Sequence, residues 1–125
     1  MEINGGNPAE ATLQKFKKGL GVFNEKLPEF VSHFNAFTEE CFKDGELTQK
    51  QKHLIALGIS IHAHDEFCII YHTKGCFDNG CSEQEIFETI AVTAALGGGP
   101  SVSQGVTLVL DYIHGMEHKK EGKVN

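Results

Sequence analysis

The chain has 125 residues and a mass of 13.7 kDa, with 40% apolar and 22% charged residues, enough for one domain with its own core. Lys and Arg number 11 against 17 Asp and Glu, a formal charge of −6, so a nucleic-acid partner, which needs a basic patch, is excluded. No membrane span, no secretory leader and only four cysteines point to a reduced, cytoplasmic protein.

Helical periodicity runs nearly throughout, and the elements follow in order. Residues 1–7 read as frayed. Asn7-Pro8 supplies an N-cap and a proline for a first helix to about Phe23. A second helix follows Leu27-Pro28, with Phe30, Val31, Phe34, Phe37, Cys41 and Phe42 at three- and four-residue spacing. That stripe reads as a core face, with Cys41 buried in it. Asp44-Gly45 ends the helix, with the glycine expected in the left-handed conformation. Thr48 caps a third helix carrying Leu54, Ile55, Leu57, Gly58 and Ile61. Asp65 caps a fourth, Glu66 to Phe77, which Asn79-Gly80 stops. Ser82-x-x-Glu85 is a capping box opening a fifth, whose alanines suit a tight core or a subunit contact. Gly97-Gly98-Gly99-Pro100 breaks it, and a last helix covers about Ser101–Glu117. The charged tail from His118 onward is expected to fray. The fold class is all-α, a single-domain bundle of about six helices.

Chemistry concentrates in residues 62–72, His-Ala-His-Asp-Glu-Phe-Cys-Ile-Ile-Tyr-His. With Asp65 as cap, Cys68 stands at the third helical position, near free amide hydrogens and the positive end of the helix dipole. His72 follows one turn later on the same face. A histidine beside a helix-start cysteine favours thiolate, whereas the Asp65 carboxylate opposes it. His62, His64, Cys68 and His72 also include metal-ligand types at four-residue spacing, but no compact metal motif accompanies them.

Lys52-His53-Leu54-Ile55-Ala56-Leu57 and Cys68-Ile69-Ile70-Tyr71-His72, followed by Gly80, the Ser82–Glu88 helix opening and Gly97-Gly98-Gly99-Pro100-Ser101, resemble the alkylhydroperoxidase D-like branch of the carboxymuconolactone decarboxylase family. The resemblance covers roughly residues 45–113. It implies an all-helical protein that assembles as a homotrimer or homohexamer, with a redox site near subunit contacts and no metal or other cofactor. The family's redox members carry Cys-x-x-Cys-x-x-x-His, with a glutamate twelve residues before the first cysteine. Cys68 matches the second cysteine and His72 the histidine. Asp65 replaces the first cysteine, and His53 stands where the glutamate would be.

These departures remove the intramolecular Cys-x-x-Cys disulfide cycle. Cys76, eight residues on, would lie about 12 Å from Cys68 along a helix. Three readings follow. In the leading one, Cys68 reduces a peroxide, assisted by His72 and His53, and an external thiol or another subunit resolves it. In the second, His53, His72 and Asp65 carry out acid–base chemistry on a small carbonyl, lactone or organic acid. In the third, the oligomer binds without catalysing.

Overall fold

A computed structural model describes residues 7–124, with side chains over residues 7–117. The element order is α1 (Pro8–Lys26), α2 (Pro28–Phe42), α3 (Gln49–Ala63), α4 (Glu66–Asp78) and α5 (Glu83–Gly97). A sixth rod follows, made of α6 (Gly99–Gln104), a π-helical segment (Gly105–Val109) and α7 (Leu110–Val124). The described residues contain no strand, and none of their helices is long and apolar enough to cross a membrane. Residues 1–6 of the expected frayed end lie outside the described residues. At the other end the helix runs on to Val124, past the expected stop near Glu117.

Local chemistry sets the helix starts. The Asn7 side chain accepts from the Glu10 amide at 2.9 Å, with Pro8 at the first helical position. Thr48 with Gln51, and Ser82 with Glu85, form reciprocal capping boxes. The ends are less regular. Gly45 does not take the left-handed conformation expected of it: α2 already ends at Phe42, and Lys43 follows in an extended cap. A non-glycine residue, His64 (φ 59°), takes it instead as the C-cap of α3, turning the chain straight into α4.

The core lies where α3, α4, α5 and the last rod meet. Leu57 and Ile61, Ile69 and Cys76, Cys81, Ile86 and Ile90, and Val109 and Ile113 form one buried cluster. Each large aliphatic side chain buried there contributes roughly 1.5–3 kcal/mol. Helix α1 is pinned to the start of α4 by Phe16 stacked on Phe67, with ring centroids 3.6 Å apart. The phenylalanine stripe of α2 differs from its expected role. Phe30, Phe34 and Phe37 are exposed, Phe37 by 62%, and Cys41 is exposed with them. The three rings line up along the helix, and Phe23 of α1 meets Phe30 edge-on at 5.6 Å, yet all three rings remain exposed. Ala91 and Ala95 of the α5 stripe are exposed as well.

Candidate functional site

Helices α3 and α4 form an antiparallel pair, and each places one histidine at their contact. His53 Nδ1 and His72 Nδ1 lie 3.2 Å apart, so one ring donates a hydrogen bond to the other. Gly75, one turn beyond His72, makes this approach possible. A Cβ at that position would sit 2.4 Å from His53 Nδ1, so any side chain there would displace the ring. Phe42, the last residue of α2, stacks on His72 with centroids 5.6 Å apart and planes 8° from parallel. The same phenyl ring lies 4.8 Å from the His53 centroid, and Tyr71 meets His72 edge-on at 5.1 Å.

This half-buried aromatic setting disfavours imidazolium. Burial lowers the His53 pKa, with only partial opposition from the Asp78 charge. Burial, and then the neighbouring His53, push His72 down to about 4, against the pull of Asp65. Both rings are therefore neutral at pH 7, sharing one proton between two Nδ1 atoms.

Asp65 caps α4 as its sequence position implies, accepting from the Cys68 amide at 3.1 Å. Its charge disfavours the thiolate. Burial, the Asp65 charge and a hydrogen bond to Asp65 push the Cys68 thiol up to about 11. Among the described residues no hydrogen bond joins Cys68 to His72, whose Nδ1 is committed to His53. The four candidates thus divide into two pairs on neighbouring surfaces, Asp65 with Cys68 and His53 with His72.

The remaining histidines stand apart. His62 is exposed and lines a groove between α3 and α5 of about 730 Å³, with Ile55, Ile59, Val92 and Leu96. His64 occupies the exposed helix junction, and His33 and His114 are exposed; the His118 side chain lies outside the described residues. No three His, Cys, Asp or Glu side chains converge among the described residues, so His62, His64, Cys68 and His72 do not form a metal cage. Two contributors to the site escaped the sequence reading. Phe42 belonged to the stripe assigned to the core, and Gly75 carried its signal only as a glycine in mid-helix, where the residue is costly without a packing reason.

These features define a helical bundle with an imidazole pair on its central hairpin. The chain belongs to the carboxymuconolactone decarboxylase family, whose profile matches residues 28–111. It is similar to the uncharacterised protein 4 of the cox locus of Paracoccus denitrificans, at 28% identity over 86% of this chain and 98% of that one. An uncharacterised Cupriavidus necator protein is 24% identical over 70% of this chain and 78% of its own length. Among solved structures, a Legionella pneumophila family member in its apo form superposes with a TM-score of 0.81. It is 23% identical and is covered to 96%, against 86% of this chain. A Thermotoga maritima family member, described with a possible involvement in an antioxidative response, gives a TM-score of 0.72 at 27% identity. That match covers 86% of this chain and 95% of the other.

Proposed function

We propose that this protein is an acid–base enzyme, transferring protons on a small carbonyl, lactone or organic-acid substrate through the His53–His72 pair. The 3.2 Å contact between two neutral imidazoles carries this reading. When one Nδ1 donates to the other, the donor ring has a bare Nε2, while the acceptor ring carries its hydrogen on Nε2. The pair thus presents one base and one acid. A proton taken at the bare Nε2 can be relayed through the shared Nδ1 hydrogen and delivered from the partner ring. Such positioned proton transfer is worth about 10²–10⁴-fold in rate. Depressed basicity moves protonation of both rings below the pH at which free histidine charges.

The test is turnover of a panel of small lactones and 3-oxo acids, with solvent-deuterium exchange read by NMR. The expected result is that His72→Ala and His53→Ala each lose about 10²-fold or more, while Cys68→Ser retains activity. The acid limb of the activity profile is expected below the ordinary histidine value, because the pKa values of both rings are lowered, that of His72 to about 4. Equal loss in Cys68→Ser, with the histidine variants unaffected, would overturn the assignment.

The half-buried Cys68 and the antioxidative association of the Thermotoga maritima relative favour a second reading, hydroperoxide reduction by Cys68 with an external thiol as reductant. With the thiol pushed up to about 11, this activity is expected to climb steeply above pH 9 and to vanish in Cys68→Ser. With either reading we propose a cytoplasmic protein that assembles as a homotrimer or homohexamer, an assembly supported by the exposed apolar faces of α2 and of the α3–α5 groove.

A further inference from the structure

The C-terminal end of α4 closes in a Schellman motif. Gly80 takes the left-handed conformation (φ 86°). Its N–H donates to the Phe77 carbonyl at 3.1 Å, and the Cys81 N–H donates to the Cys76 carbonyl at 2.9 Å. This pattern brings the third residue from the helix end against the second residue beyond the cap, a contact two apolar side chains normally fill. Here two thiols fill it. The 2.9 Å bond also bounds the backbone. With standard bond lengths, the two Cα atoms lie no more than about 6.8 Å apart, within the window of about 4.4–6.8 Å that disulfides occupy. Cys76 is fully buried and Cys81 is 6% exposed, both belong to the core cluster, and both are free thiols.

We propose that Cys76 and Cys81 are a redox-active dithiol, separate from Cys68 and from the imidazole pair, which a hydroperoxide oxidises to an intramolecular disulfide. The Cys81 sulfur attacks one peroxide oxygen. An S–O bond forms, the O–O bond breaks, and the alkoxide leaves with a proton as alcohol. The Cys76 sulfur then gives up its proton and attacks the sulfenic sulfur, forming the S–S bond and expelling water. Two thiols lose two electrons, and the hydroperoxide is reduced to alcohol and water. Cys81 is the attacking group because it alone reaches the surface. Burial and the Glu85 carboxylate leave the Cys81 pKa raised, although a hydrogen bond from Cys76 and the Lys50 ammonium both favour its thiolate. Cys76, deeper in the core and held protonated by burial, is the resolving thiol. An external dithiol reverses the reaction by exchange.

The experiment exposes the reduced, full-length, folded chain to hydrogen peroxide, then denatures it in an alkylating agent and maps the peptides. The peptide carrying both Cys76 and Cys81 is expected to be lighter by one pair of hydrogens and unalkylated, with both thiols restored by dithiothreitol. Oxygen adducts on either cysteine without the disulfide would overturn the proposal. So would full alkylation of both while Cys41 and Cys68 are consumed. The wild-type measurement decides the pairing by itself. In Cys81→Ser, Cys76 is expected to stay alkylatable under the same exposure, and its oxidation there would reverse the assignment of attacking and resolving sulfur.

Discussion

Asp65 holds the start of α4 and sets the chemistry of the sulfur one turn away. Its carboxylate accepts from the Cys68 amide, so it does the work of an N-cap. It also receives the thiol's hydrogen bond and repels the negative charge a thiolate would carry. Both effects raise the Cys68 pKa, in the same direction as the larger effect of burial. Asp65→Asn separates the two roles, because asparagine caps a helix about as well as aspartate but bears no charge. The midpoint of Cys68 alkylation against pH should fall in this variant from the wild-type value of about 11, while the melting temperature changes little. Since the folded-state pKa of Cys68 is raised, folding favours the thiol, and stability drains away as pH rises above the ordinary thiol value toward 11. A midpoint unmoved by Asp65→Asn would leave burial as the sole cause.

At the scale of the helices, what could be read from the sequence was what is local. Asn7-Pro8, Thr48, and Ser82 with Glu85 satisfy their own helix starts within four residues, so spacing located them, while the reciprocal bond from Gln51 to the Thr48 amide emerged only in the structure. The candidate site was legible as a set of residues but not as an arrangement. His53 and His72 are 19 residues apart, and their contact depends on α3 lying close enough to α4 for a glycine at 75 to be required. The left-handed turn was misplaced for a related reason. Glycine permits that conformation but does not impose it, so Gly45 stays out of it while His64, the cap at the short α3–α4 junction, adopts it. Gly80 does adopt it. A Cβ there would meet nothing within 4 Å, so the cost of Gly80→Ala is purely conformational. Urea unfolding should show a loss of about 1–2 kcal/mol, with Gly80→Asn losing less. A neutral Gly80→Ala would mean that the α4 terminus has relaxed into another turn, and the Cys76–Cys81 contact with it.

For the whole molecule, periodicity reports that a helix face is apolar and not what covers it. The phenylalanine stripe of α2 satisfies the helical pattern of a core element, yet its rings face outward, as do Ile59, Val92 and Leu96 along the α3–α5 groove, Leu96 by 86%. Two separate apolar surfaces on a chain of 13.7 kDa are more than a soluble monomer usually leaves open. Because the surfaces differ, one ridged with aromatic rings and one concave, a contact between unlike faces of successive copies generates a ring when the rotation closes. That is the geometry expected of a trimer, or of two such rings in a hexamer. Light scattering on the eluting protein should give three or six times 13.7 kDa. Phe34→Glu and Leu96→Glu, each on an exposed face and so harmless to the folded core, should each release the 13.7 kDa species with helicity intact. A wild-type chain that elutes as a monomer at micromolar concentration would remove the assembly. If only one of the two variants dissociates it, the contact is between like faces, and the closed form is a dimer instead of a ring.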